Sequence, residues 1–254
     1  MPDVRANLLA RAEKVFVGKA DHSTDMSSRL PTVLEPFELP ARYAILNGRG
    51  TAHVTSHSMN DLFDDLPKPD VDWYPDWLSP EAAGRALTRL IDEVAWKQES
   101  MGTPAGRVAL PRLTAWQGEA DAVYVYSGIR NVPQAWTPMV AELKASAETI
   151  CGCHFNSVLI NRYRSGMDSM GWHADHEPEL GAQPAIASMS LGVARTFDLR
   201  HNKTGVVQSF QLKGGSLLVM RGNTQAEWRH RVPKEPRIFG ERINLTFRWV
   251  MSRH

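Results

Sequence analysis

From Ser157 onward the chain breaks into short runs rich in β-formers, at 157–163, 185–191, 195–200, 206–212, 216–221 and 242–250. Turn-formers separate them: Ser165-Gly166, Gly192, Asn202-Lys203-Thr204-Gly205, Gly214-Gly215 and Gly222-Asn223. Such runs are too brief for helices, and their close spacing predicts a β-sandwich or barrel. Two helices precede them. Ser79-Pro80-Glu81 combines a capping hydroxyl, a proline for the first turn and an early acid. Leu87, Leu90, Ile91 and Val94 then recur at helical spacing. Thr137-Pro138 opens a second helix, with Val140, Leu143, Ala147 and Ile150 as its buried stripe and Gly152 as its stop. Helices before and strands after predict an α+β domain whose helices cover one sheet.

Residues 1–58 carry neither period, and Met59-Asn60-Asp61-Leu62-Phe63 reads as the beginning of a domain. The expected organisation is a weakly ordered extension over 1–58 and one domain over 59–254. Apolar residues make up 43% and charged residues 22%, the proportions of a soluble globular protein. No apolar run approaches the roughly 20 residues that a membrane span needs. The first residues lack an apolar core for secretion, so the expected location is the cytoplasm, and the expected state is a monomer. Cys151 and Cys153 form a lone C-x-C and are expected to be reduced thiols without a role. Charge is uneven: residues 1–150 carry 15 Lys and Arg against 20 Asp and Glu, residues 151–254 carry 14 against 8. The basic half suits a polyanion or an ordinary solvated surface.

His173 and Asp175 stand two apart, and on an extended segment alternate side chains share a face. Both can therefore address one cation, with a third ligand from elsewhere; His230 is the best candidate. Two imidazoles and a carboxylate leave coordination positions open, as in non-haem Fe(II) sites, whereas structural zinc needs a closed shell of four. The H-x-D spacing alone is common, and a surface histidine at 173 fits it as well. The final run narrows the choice. Arg242, Asn244, Thr246 and Arg248 fall on one face, and Ile243, Leu245, Phe247 and Trp249 on the other. If the polar face is interior, two buried guanidiniums require anions, which a dicarboxylate satisfies with bidentate geometry. Asn161 and Tyr163 form a second alternating pair able to bond the same ligand. An edge strand with one wet face reads equally well from this pattern alone.

The segment Asn161-Arg162-Tyr163-Arg164-Ser165-Gly166-Met167-Asp168-Ser169-Met170-Gly171-Trp172-His173-Ala174-Asp175-His176-Glu177, with Arg242-Ile243-Asn244-Leu245-Thr246-Phe247-Arg248, resembles the AlkB family of iron- and 2-oxoglutarate-dependent dioxygenases. Matches at Pro111-Arg112-Leu113-Thr114-Ala115-Trp116, Tyr124-Val125-Tyr126-Ser127-Gly128, Ser188-Met189-Ser190-Leu191-Gly192 and Leu217-Leu218-Val219-Met220-Arg221-Gly222 extend the resemblance over about residues 60–250. It implies a double-stranded β-helix (jelly roll) with helices buttressing one sheet. It implies that His173, Asp175 and His230 bind Fe(II). Arg242, helped by Tyr163, would hold the distal carboxylate of 2-oxoglutarate, and Arg248, Asn161 and Asn244 the end nearer the metal. Tyr126, Tyr124, Trp116 and Glu177 would contact a flipped-out base, with His173 against one of its faces. The activity implied is oxidative demethylation of N-alkylated bases in DNA or RNA, releasing formaldehyde and succinate. Where relatives commonly carry Tyr, this chain has Gln117, which alters substrate contact if that position faces the substrate. The same chemistry on RNA, protein or a small molecule is a second reading. A catalytically silent jelly-roll module that binds nucleic acid is a third.

Overall fold

The computed structural model describes residues 66–104, 106–126 and 129–251, with backbone only over 124–131. The extension expected over 1–58 and the domain start at Met59 lie outside the described residues. Two antiparallel sheets face each other. The larger has the order β1 (Val71–Tyr74), β12 (Ser216–Met220), β9 (Ile186–Gly192), β14 (Arg242–Arg248), β7 (Ser157–Tyr163), β4 (Leu113–Gly118). The smaller has the order β11 (Val207–Leu212), β10 (Arg195–His201), β13 (Trp228–Val232), β8 (Met170–His173). From β7 to β14 the chain passes repeatedly between the two sheets, the winding of a double-stranded β-helix, or jelly roll. Two hairpins, β2–β3 (Ser100–Thr103 and Gly106–Ala109) and β5–β6 (Tyr124–Tyr126 and Ile129–Asn131), stand apart from these sheets. No described helix is long and apolar enough to cross a membrane.

Helices α1 (Pro80–Glu93) and α2 (Pro138–Cys151) cover the outer face of the larger sheet. Leu90 of α1 and Val140, Leu143 and Ala147 of α2 join Ile243, Leu245 and Phe247 of β14 in one apolar cluster. A second cluster, with Tyr163, Ile186, Phe197, Leu199, Leu218, Met220, Trp228 and Val232, fills the space between the sheets. β14 lies between β9 and β7 and is buried along its whole length, which excludes the wet edge strand. Its apolar side chains meet the helices, and its polar ones enter the gap between the sheets.

Several expectations need correction. Strands do not all follow the helices: β1 pairs with β12 and β4 with β7. These are edge strands, too short and too uniformly buried or exposed to show a period of two. Ile150 is exposed, and Cys151 completes the α2 stripe, because Ala147 is followed at helical spacing by residue 151. Trp249 is 52% exposed because pairing of the last strand ends at Arg248. Ser79 caps α1 by accepting from the Ala82 N–H, whereas Thr137 does not cap α2 with its hydroxyl. Gln117 Oε1 accepts the Thr137 N–H at 3.0 Å instead. Gln117 thus belongs to the helix-covered face of β4, fully buried, and does not line the inter-sheet space. A Tyr-to-Gln exchange there bears on the anchoring of α2. Gly192, at φ 90°, packs its Cα against the Glu241 carbonyl, where a Cβ would collide; this fixes the entry into β14.

Candidate metal centre

His230 and His173 sit directly opposite each other on β13 and β8, with ring centroids 4.1 Å apart. Asp175 follows two residues beyond β8's His173, and one ligand atom from each of the three falls within 4.8 Å of the others. The convergence expected between residues remote in the chain is therefore present. The Gly171 carbonyl, 2.9 Å from His173 Nδ1, can only accept, so Nδ1 carries the proton and Nε2 keeps its lone pair. His230 Nδ1 is buried without a hydrogen-bond partner among the described residues. Burial pushes the His230 imidazole down to about 3, and His173 is also lowered, first by burial. Both rings are neutral at ordinary pH, as metal ligation requires. Burial alone would raise the Asp175 carboxyl, but the Arg248 guanidinium, with His230 and His173, holds it below the usual carboxylate range. Arg248 Nη2 lies 3.2 Å from Asp175 Oδ2, both side chains almost wholly buried. Two neutral imidazoles and one ionised carboxylate in a buried cluster fit a divalent transition metal with open positions.

The wall around this cluster includes Leu159, Asn161, Tyr163, Ser188, Asn244, Thr246 and Arg248. Asn161 Oδ1 accepts from Arg112 Nε at 2.8 Å. Asn244 donates to Ser188 Oγ and the Met189 carbonyl, and its Oδ1 accepts from Thr246. Arg242 stands behind Tyr163, its Cζ 5.2 Å from the ring centre, opposite Tyr163 in register. Its Nη2 donates to Ser190 Oγ, while Nε and Nη1 are buried with no hydrogen-bond partner among the described residues. Burial pushes this guanidinium down to about 10. A 1% exposed cation with two nitrogens unpartnered among the described residues is a receptor for an anion, and the fork geometry suits a carboxylate. The Arg195 guanidinium also lies against the Tyr163 ring, its Cζ 5.6 Å from the ring centre.

The residues expected at the substrate are less gathered. Trp116 is buried with Ala122, Leu180 and Val250, donates its indole N–H to the Ala122 carbonyl, and lies under the Arg248 guanidinium. Glu177 precedes the short turn Pro178–Leu180, and its Oε2 is buried without a hydrogen-bond partner among the described residues. The side chains of Tyr124 and Tyr126 lie outside the described residues.

Sequence reasoning missed Gln225. On the one-turn helix α3 (Thr224–Glu227), its Oε1 accepts the Asp175 N–H at 2.9 Å, with both residues buried. Thr224 beside it is tied to the backbone of Asp70, which anchors the turn. A lone glutamine fifty positions from its partner gives no signal in the sequence. Gln225→Ala is expected to weaken Mn(II) binding by roughly tenfold, because it frees the backbone that aims Asp175. Calorimetric titration measures this; an unchanged Kd would show that Arg248 alone orients the carboxylate.

The 2OG-Fe(II) oxygenase superfamily model matches residues 70–248. The rat alpha-ketoglutarate-dependent dioxygenase alkB homolog 3 is 42% identical over 187 residues, covering 70% of this chain and 63% of that protein. The mouse DNA oxidative demethylase ALKBH2 is 37% identical over 151 residues, 56% of this chain and 63% of that protein. The matched region thus spans less than two thirds of the length of these curated relatives. The solved structure of OsALKBH1 superposes with a TM-score of 0.51 at 16% identity, over 72% of this chain and 99% of that one, a likeness of fold.

Proposed function

The chain belongs to the AlkB family of the 2OG-Fe(II) oxygenase superfamily, and on that premise we propose that it is an oxidative demethylase of N-alkylated bases in nucleic acid, DNA first. His173, Asp175 and His230 hold Fe(II), and 2-oxoglutarate is the cosubstrate. One observation carries the reading: a His-Asp-His cluster lies in a cavity walled by Tyr163, and behind that ring stands a buried arginine with two nitrogens unpartnered among the described residues. The bound metal and cosubstrate supply oxidation of an N-methyl group by dioxygen, with succinate, carbon dioxide and formaldehyde as products.

The protein's own part is to bind, orient and exclude. Arg242 receives the distal carboxylate of the diacid, with Tyr163 at its side. Asn161, Asn244 and Arg248 shape the end nearer the metal, the two amides already held by Arg112 and by Ser188 and Met189. Arg248 also keeps the Asp175 carboxylate ionised and aimed. The cluster lies within the fold, so the target base must leave its stack to reach it. A methylated base pairs poorly, is cheaper to extrude, and is favoured on that ground. Trp116 supports Arg248 from below, and Glu177, Tyr124 and Tyr126 are the candidate base contacts.

The unaltered chain, given Fe(II), 2-oxoglutarate and a methylated single-stranded oligonucleotide, is expected to release formaldehyde in step with succinate. Succinate without formaldehyde from either methylated DNA or methylated RNA would move the substrate to another class. Absence of both products would leave a silent binding module.

A further inference from the structure

We propose that Glu235 sets how tightly Arg242 holds a dicarboxylate, and with it how readily the succinate coproduct leaves. The proposal rests on the reading of Arg242 as the diacid receptor and names a residue outside the cavity wall that tunes it.

Two guanidiniums lie against the Tyr163 ring, Arg242 with its Cζ 5.2 Å and Arg195 with its Cζ 5.6 Å from the ring centre. Each residue is 1% exposed. Like charges repel strongly in an interior, where water does not screen them. Their needs are met unequally. Every nitrogen of Arg195 donates: Nε to Glu235 Oε2 at 2.8 Å, Nη1 to the Ser165 carbonyl, and Nη2 to the carbonyls of Asp168 and Pro233. Arg242 keeps two nitrogens unpartnered among the described residues. Among those residues Arg195 has one ion pair, with Glu235, and Arg242 has none. Asp168, whose carbonyl Arg195 holds, gives its own carboxylate to Arg164. The ligand-free group thus sets two cations against one anion, and the distal carboxylate of a diacid supplies the missing charge.

Glu235 is built into the fold at this place. Its N–H donates to the Gly166 carbonyl at 2.7 Å, and the Gly166 N–H donates to the Ile238 carbonyl at 2.7 Å. Gly166 rests against the Glu235 carbonyl, where a Cβ would collide. The carboxylate also accepts the Thr196 N–H at 3.0 Å and the Thr196 hydroxyl at 2.8 Å. Burial alone would raise this carboxyl, but the hydrogen bonds from Arg195 and Thr196 hold it below the usual carboxylate range. Glu235 is therefore ionised at ordinary pH, and its charge reaches Arg242. Burial lowers that guanidinium most, Arg195 lowers it further, and Glu235 raises it. Glu235 thus stabilises the Arg242 cation in the ligand-free protein and opposes an incoming carboxylate. 2-Oxoglutarate and succinate both carry the distal carboxylate. A grip common to both does not speed the chemical step, and it delays departure of the coproduct. An anion that offsets part of the receptor's charge moderates that grip.

The test is calorimetric titration of the full chain, with Mn(II) present, by 2-oxoglutarate and separately by succinate. Glu235→Gln keeps the shape and an acceptor for Arg195 but removes the charge. It should lower both Kd values on the order of fivefold, the effect of one unit charge across a partly screened interior. Glu235→Asp retains the charge and should leave both within about twofold on the same ground. Without a diacid, Glu235→Gln should melt below the unaltered chain, because Arg195 is left buried without its counter-ion. Succinate should then raise its melting temperature more than that of the unaltered chain. A merely structural role moves binding the other way, since a loosened Arg195 and Tyr163 would raise both Kd values. Raised or unchanged Kd values in Glu235→Gln therefore overturn the proposal. Should that variant fold only when a diacid is present, the missing charge is confirmed; failure to fold even with 2-oxoglutarate or succinate overturns it. An unaltered chain that binds neither diacid removes the receptor reading and this proposal together. One that binds both, while Glu235→Gln binds them no tighter, removes this proposal alone.

Discussion

Asp175→Ala is expected to abolish divalent-metal binding and succinate formation, and also to destabilise the metal-free protein by roughly 3 kcal/mol. The first effect follows from the donor set. Two neutral imidazoles remain, His230 buried and His173 partly exposed, and they lose the one anionic ligand that offsets the dication's charge. The second follows from Arg248, whose guanidinium lies 3.2 Å from Asp175 Oδ2 in a pair almost closed to water. Breaking a buried pair from one side leaves a charge that the interior solvates poorly. His230→Ala separates the two effects. It should also abolish metal binding, but it deletes a neutral ring and leaves the Arg248–Asp175 pair intact. Its cost to the metal-free protein is a cavity beside Phe197, whose ring lies 5.3 Å away. Metal titration and thermal melting of both variants without metal check this. An Asp175→Ala protein that melts like the unaltered chain would show that Arg248 draws its compensation from elsewhere.

What could be read from the sequence divides along physical lines. β14 was legible because burial on both faces still leaves a strict alternation, apolar towards the helices and polar towards the gap. Its two arginines called for an anion only on condition that the polar face was interior, and it is the position between β9 and β7 that meets the condition. α1 and α2 were legible from proline and capping signals, though Ile150 and Cys151 exchanged places in the last turn of α2. β8 and β13, which carry two of the three candidate ligands, gave no strand pattern of their own. Both runs are short, and a metal-facing histidine in each interrupts the apolar inner face to which Met170, Trp228 and Val232 belong, so the alternation is weak. The hydrogen bonds that hold the site were equally silent. Gln225 to Asp175, Arg112 to Asn161, and Gln117 to the start of α2 are single contacts between distant residues. Composition and periodicity carry no record of such pairs; only the fold brings them together.

Arg242→Met should act in opposite directions on ligand binding and on stability. With Mn(II) present, the Kd for 2-oxoglutarate is expected to rise about ten- to a hundredfold, the value of a charge-assisted contact worth roughly 1.5–3 kcal/mol. Without the diacid, the variant should melt higher than the unaltered chain. Arg242 is 1% exposed, with Nε and Nη1 lacking hydrogen-bond partners among the described residues, and burial pushes its guanidinium down to about 10. These are the marks of a charge that the ligand-free fold tolerates at a cost. A thioether of comparable length removes that cost and keeps most of the packing against Tyr163. It gives up the Ser190 contact and the stacking, each worth about 1 kcal/mol or less at such a site. The unaltered chain should therefore gain much more in melting temperature on adding 2-oxoglutarate than the variant does, since ligand stabilisation scales with the logarithm of concentration over Kd. Arg242→Lys should fall between the two, with the charge kept and the fork lost. If Arg242→Met leaves the Kd unchanged, the distal carboxylate is held by another cation, and Arg248 is the first to test.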